Sequence, residues 1–189
     1  MKQLPRHVAI ILDGNGRWAQ RHFMPRVAGH LKGKKALEII VGHCIKRGIP
    51  VLTVYAFSSE NWRRPKPEVD FLMKVFQETL EKDLKELHKE NICLKIIGER
   101  SSLSPTLQKL IEHAETLTES NTALTLNVAI NYGARSDISK TARALASMVQ
   151  SGDLNPDDIT EKYFGENLCM GHTPAPDLLI RTSGEHRVS

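Results

Sequence analysis

The chain has 189 residues, 40% apolar and 25% charged, enough for one domain burying roughly 70% of its unfolded surface and unlike a disordered composition. Its net charge of +4 conceals a split: residues 1–66 hold 13 Lys+Arg against 3 Asp+Glu, and residues 67–189 hold 13 against 19. The positive residues are spread through loops and along one helix, which favours a small anionic ligand over nucleic acid, and no stretch approaches the ~20 apolar residues of a membrane-spanning helix.

In chain order, the first expected strand is residues 8–12, which runs into Asp13-Gly14-Asn15-Gly16-Arg17-Trp18. Gly14 and Gly16 carry no Cβ, so backbone N–H groups around Asn15 can approach an anion closely. Arg17 adds a planar fork suited to phosphate. Asp13 beside a phosphate implies a cation between them. Mg²⁺ suits that place, because it takes one or two carboxylates together with substrate phosphates and water. The plainer alternative is an ordinary Asp-Gly, Asn-Gly turn.

A helix is expected over residues 30–47, stopped by Gly48 and Pro50. The preceding Gly29-His30-Leu31-Lys32-Gly33-Lys34-Lys35 is one residue short of a P-loop and has Lys35 in place of the magnesium-binding hydroxyl, which excludes a nucleotide loop. His30 stands at a helix start, where N–H groups and the helix dipole favour an anion, although a lone His is more often structural. The second strand, residues 51–57, leads into Ser58-Ser59-Glu60-Asn61-Trp62-Arg63-Arg64-Pro65. Trp62 offers an apolar face with one donor, and Arg64 is held extended by the proline after it. The competing reading of this segment is a solvated helix entrance.

The helix expected at residues 69–90 carries an apolar stripe of Leu72, Met73, Val75, Phe76, Leu80, Leu84 and Leu87. The stripe fits a core-facing helix and equally the wall of a channel for an apolar chain, and periodicity does not separate the two. A strand at residues 92–97 and a helix at residues 105–118 follow, the helix with Ser104 as N-cap and Pro105 in its first position. Next come a strand at residues 124–130, a helix at residues 136–150 ended by Gly152 and Pro156, and a shorter helix after Asp157. The last strand, residues 178–180, opens onto Arg181-Thr182-Ser183-Gly184-Glu185-His186-Arg187. Arg181, Arg187 and Ser189 can hold a second diphosphate, each charge-assisted bond contributing roughly 1.5–3 kcal/mol. Two polyanion sites around one Asp suggest transfer between two phosphorylated substrates.

Alternation of strands and helices without repeat or linker implies a single α/β domain over residues 1–189, with a mostly parallel central sheet flanked by helices. In such a sheet the three polar clusters meet at the carboxyl edge, where open α/β folds bind ligands. Cys44, Cys93 and Cys169 form no CxxC pair, which points to reduced thiols in a cytosolic protein.

With these clusters placed, the chain resembles the cis-prenyltransferase family, close to its bacterial undecaprenyl diphosphate synthases. The resemblance is carried by residues 7–19, Gly29-His30, residues 53–65, Leu124-Thr125-Leu126-Asn127, Asn131-Tyr132-Gly133 and residues 177–187, whose order and spacing cover essentially the whole chain. It implies an α/β fold with an apolar product tunnel between the sheet and two helices. It also implies sequential condensation of isopentenyl diphosphate onto farnesyl diphosphate, giving a lipid carrier for cell-wall synthesis. By this similarity Asp13 is the Mg²⁺-linked catalytic carboxylate. Gly14, Asn15, Gly16, Arg17, Arg26 and His30 surround the allylic diphosphate, with Trp18, Ser58, Ser59, Glu60, Trp62 and Arg64 completing that wall. Arg181, Arg187, Val188 and Ser189 bind isopentenyl diphosphate. Asn61 is the family's assigned proton acceptor; a neutral amide is a weak base, so a relay through Ser58, water or diphosphate oxygens is chemically easier.

The resemblance further implies a cytosolic homodimer that touches the inner membrane surface on product release and binds no nucleic acid. Family members continue past Ser189 with an apolar segment, a magnesium-binding acid and part of the dimer contact. Metal affinity, dimerisation and activity are therefore expected to depend on that segment. Two rivals are weighed. A phosphohydrolase with Asp13 as nucleophile wants a second Asp where Asn15 stands. A non-catalytic partner subunit lacks the first-strand Asp and the Asn-Trp-x-Arg cluster, both present here.

Overall fold

The structure, a computed structural model, describes residues 4–187. The described strands are β1 (His7–Ile11), β2 (Val51–Ser58), β3 (Ile92–Ile97), β4 (Leu124–Tyr132) and β5 (Leu178–Arg181). They form one sheet in the order β3-β4-β2-β1-β5, and every pairing is parallel. The helices are α1 (Asn15–Arg21), α2 (Arg26–Arg47), α3 (Lys66–Lys89), α4 (Pro105–Thr118), α5 (Ala134–Ser151) and α6 (Glu161–Glu166), with 3₁₀ turns at Ser59–Arg63 and Pro156–Asp158. None is long and apolar enough to cross a membrane.

Register explains how the core forms. Val8 pairs with Leu52, Leu52 with Leu126 and Leu126 with Leu94, so one row of aliphatic side chains crosses one sheet face. That face joins a core with Val41 and Cys44 of α2, Val69, Leu72, Leu80 and Leu84 of α3, and Leu107, Ile111 and Ala114 of α4. The apolar stripe of α3 is therefore in part a core stripe, while Met73 and Phe76 are only partly buried. The β3 edge is closed by side chains: Leu94 N–H donates to Thr118 Oγ1 (3.1 Å) and Ile96 N–H to Glu115 Oε1 (2.8 Å), removing a free pairing edge. At the β5 edge Leu178, Leu179 and Ile180 are all exposed. Cys44, Cys93 and Cys169 are free thiols.

The expected elements are present, with differences at their amino ends. Asn15–Arg21 is a helix where a turn is expected; Asn and Gly are poor helix formers, and packing against α2 supplies what propensity lacks. Helix α2 starts at Arg26, four residues before the sequence pattern shows it, directly after Pro25 at φ −58°. Helix α3 starts at Lys66 with Pro67 in its opening turn, a place that tolerates proline. Ser104 caps α4 as expected, its Oγ accepting from Leu107 N–H at 3.2 Å.

Candidate active site

Strands β2, β1 and β5 are neighbours and parallel, so the three polar clusters emerge side by side at one sheet edge. Asp13 leaves β1 under tight control. Its N–H donates to Thr182 Oγ1 (2.9 Å), whose hydroxyl donates to the Asp13 carbonyl (2.6 Å), tying the β1 and β5 exits together. Gly14 then takes φ +83°, a left-handed conformation costly for other residues, and a Cβ there would strike the Ser183 side chain. A Cβ on Gly16 would come within 2.8 Å of the Arg26 guanidinium carbon. Both glycines thus permit close approach between protein segments. Asn15 turns towards α2, where a Cβ on Gly33 would come within 2.9 Å of its Oδ1.

Around Asp13 the charges interlock. Its Oδ1 accepts from Arg17 Nη2 (3.1 Å) and its Oδ2 from Arg181 Nη2 (2.9 Å). Arg17 Nη1 reaches Glu185 Oε1 (2.8 Å), and Arg187 Nε reaches Glu185 Oε2 (3.2 Å). Arg181 also donates to the Arg187 carbonyl (2.8 Å), while its buried Nε has no hydrogen-bond partner among the described residues. Partial burial pushes the Asp13 carboxyl up, but hydrogen bonds from Arg181, the Gly14 backbone and Arg17 outweigh it and hold it below the usual carboxylate range. Asp13 is ionised at neutral pH.

A second group forms around a residue absent from the sequence-based expectations. Glu68, in the first turn of α3, accepts from Arg26 Nε (3.0 Å) and Nη2 (3.2 Å), from Arg64 Nη1 (3.2 Å), and lies 3.3 Å from His30 Nε2. The carboxylate is 10% exposed, against 41% for Arg26 and 33% for Arg64. It lies inside, and the arginines turn their remaining donors outward. Such an arrangement can serve as a base plate on which two guanidiniums meet an anion. Burial lowers the His30 pKa, and the neighbouring arginines oppose protonation further while Glu68 favours it. Burial raises Glu68, but Arg26, His30 and Arg64 bring it below its usual value. An acid in a first helical turn ordinarily complements the helix dipole, which is why nothing in the sequence marks Glu68 out.

The third group lies on the 3₁₀ turn after β2. Ser58, Ser59, Glu60 and Trp62 are exposed. Asn61 Oδ1 accepts from Ser58 N–H (3.1 Å), so its amide is turned onto the loop backbone. Trp62 donates from Nε1 to Asn131 Oδ1 (2.8 Å) and meets Phe57 edge-on at 5.2 Å. Trp18 points outward, its ring 4.3 Å from His22 and 39% exposed. Val188 and Ser189 lie outside the described residues.

No three His, Cys, Asp or Glu side chains converge among the described residues. Mg²⁺ does not require such a cluster, since a single carboxylate completed by phosphate oxygens and water is an ordinary site for it. Asp13, flanked by Arg17 and Arg181, fits that donor set.

Glu68→Gln is expected to destabilise the fold by roughly 1–3 kcal/mol, because Arg26 and Arg64 lose the charge of their common acceptor. A carboxylate whose pKa is lowered by folding contributes stability above its unfolded pKa of ~4.3 and loses it as pH falls through the folded value. Urea titrations at neutral and acid pH should therefore show the gap between Glu68→Gln and wild type narrowing in acid; a constant gap would count against the charge pairing.

The chain is similar in sequence and fold to known proteins. Residues 11–189 match the family described as "Putative undecaprenyl diphosphate synthase". The chain is 50% identical over 186 residues to the farnesyl-diphosphate-specific ditrans,polycis-undecaprenyl-diphosphate synthase of Haemophilus influenzae, covering 98% of this chain and 78% of that one. The protein of the same description from Aliivibrio fischeri is 52% identical, with 98% and 72% covered. Lavandulyl diphosphate synthase from Lavandula x intermedia, solved with dimethylallyl diphosphate, superposes with a TM-score of 0.93 at 41% identity over 98% of this chain and 80% of that one. Fold and sequence match together over nearly the full chain, and the protein belongs to the undecaprenyl diphosphate synthase family of cis-prenyltransferases.

Proposed function

We propose that this enzyme condenses isopentenyl diphosphate repeatedly onto farnesyl diphosphate, giving a long polyprenyl diphosphate of the undecaprenyl type. The observation that supports it most is the pairing of two cationic groups at one sheet edge: Arg26, His30 and Arg64 around Glu68, and Arg17, Arg181 and Arg187 around Asp13 and Glu185. Two diphosphates then have separate seats. In each cycle the allylic C1–O bond breaks, C1 bonds to C4 of isopentenyl diphosphate, and a proton leaves C2.

Asp13 would hold Mg²⁺, which when bound neutralises charge on the diphosphate. Arg26, His30 and Arg64 bind and orient the allylic diphosphate. Arg181 and Arg187 bind the isopentenyl diphosphate. Asn61, a neutral amide already hydrogen-bonded to the Ser58 backbone, positions the loop and leaves the proton to a diphosphate oxygen. The decisive experiment is incubation of the folded protein with labelled isopentenyl diphosphate, farnesyl diphosphate and Mg²⁺, followed by chain-length analysis. Absence of any elongated product would refute the reading.

The growing chain is assigned to the space between the sheet, α2 and α3. Supporting this, Leu37 and Ile40 of α2 and Met73 and Phe76 of α3 are only partly buried. Leu124, fully buried at the amino end of β4, lies eight residues, about 26 Å, from the carboxyl end of that strand. Ala56→Leu is expected to shorten the product and Leu124→Ala to lengthen it. The first change can cost ~1–3 kcal/mol by overpacking, so folding is checked by circular dichroism. Parent product lengths from both folded variants would exclude these positions from the tunnel.

A further inference from the structure

The pairing of β2 with β4 breaks register where the two strands reach the site. Tyr55 pairs with Ala129, Phe57 with Ile130 and Ser58 with Tyr132, so β2 holds one extra residue, Ala56, and β4 one extra residue, Asn131. A bulge bends its strand and re-aims the side chain it carries, and bulges gather beside active sites. Asn131 takes φ +53°, a left-handed conformation that Asn enters more readily than other residues with a Cβ. It is also buried, at 6% exposure. Backbone strain held in place by packing is a mark of functional sites.

The group aimed by this bulge is a carboxamide used at both ends. Its Oδ1 accepts from Trp62 Nε1 (2.8 Å), and its Nδ2 donates to the Glu99 carbonyl (2.8 Å). Glu99 N–H in turn donates to the Asn131 carbonyl (3.2 Å). A Cβ on Gly98 would strike the Ile130 carbonyl, so the exit of β3 lies tight against the bulge. The Trp62 ring also meets the buried Phe57 edge-on, and the ring itself is 38% exposed. Its donor is anchored to the sheet while part of its face stays open. Asn combines what this position needs: an acceptor for the indole, a donor for the carbonyl and tolerance of positive φ. Asp lacks the donor, and Gly lacks both groups.

We propose that Asn131 is a positioning residue for the condensation. Acting through Trp62, it fixes the indole, and with it the turn Ser59–Arg63, at the carboxyl edge of the sheet. This rests on the reading that the turn faces the two diphosphate substrates.

The test combines indole NMR with kinetics. The chain has two tryptophans, so ¹⁵N-labelled protein gives two indole N–H signals, and Trp18→Phe assigns the one from Trp62. Asn131→Gly accepts the positive φ and removes both bonds. It is expected to shift the Trp62 signal, to speed its exchange with water, and to lower kcat/KM for farnesyl diphosphate roughly ten- to a hundredfold. Asn131→Asp keeps the acceptor and should leave the Trp62 signal in place with most of the rate retained. Trp62→Phe should lower kcat/KM by itself, and adding Asn131→Gly to it should cost less than about twofold more, because no indole N–H remains to be held. A merely structural Asn131 would multiply the two losses instead. An unmoved Trp62 signal in folded Asn131→Gly, a displaced signal in Asn131→Asp, or multiplying losses would each overturn the proposal. Should Asn131→Gly not fold, the signal and rate of Asn131→Asp decide. Wild-type protein that forms no product would sink the functional reading alone, and the indole signals would still decide whether Asn131 holds Trp62.

Discussion

Asp13→Ala is expected to reduce kcat by roughly a thousandfold or more, equivalent to about 4 kcal/mol of lost transition-state stabilisation. Among the described residues the carboxylate is the one acid shared by Arg17 and Arg181, and their hydrogen bonds favour its ionised form. Alanine also leaves those arginines without their shared acceptor, at a cost of ~1–2 kcal/mol in stability. Asp13→Asn separates the two effects, because it preserves shape and one acceptor oxygen while removing the charge. Steady-state rates over a Mg²⁺ titration, with melting curves for both variants, make the measurement. A folded Asp13→Asn enzyme with wild-type rate and Mg²⁺ response would exclude Asp13 from the metal role.

Arg26→Ala and Arg181→Ala are expected to weaken different substrates. Each loses one or two charge-assisted bonds, so KM should rise roughly 10–100-fold, for farnesyl diphosphate with Arg26→Ala and for isopentenyl diphosphate with Arg181→Ala. Arg181→Ala should lower kcat as well, because Arg181 is the partner of Asp13 Oδ2. Arg187→Ala should be milder: its guanidinium holds Glu185, which in turn orients Arg17. Varying each substrate with the other saturating gives both constants. Equal effects of all three variants on both substrates would mean one shared anion site.

How far the site could be read in advance depends on the range of the interaction concerned. Strand runs such as residues 51–57 and the Ser104-Pro105 helix start are visible because adjacent residues encode them: continuous apolar chains for a strand covered on both faces, a hydroxyl and a fixed φ for a cap. Asp13, Arg17, Arg64 and Arg181 are visible for the same reason, as dense polar clusters directly after those runs. Helix α1 is hidden, because Asn15 and Gly16 disfavour helix and only contact with α2 stabilises it.

The order β3-β4-β2-β1-β5 and the clamp on Glu68 were decided only by the tertiary structure. Glu68 is 42 residues from Arg26 and 38 from His30, and Asp13 is 168 from Arg181. A local pattern shows that a charge exists, but its partner is set by which strand ends the sheet brings together. The sequence by itself determined the kind of chemistry and where along the chain it lies. The tertiary structure decided which cations share which carboxylate, because hydrogen bonds of a few ångströms join segments that are far apart along the chain.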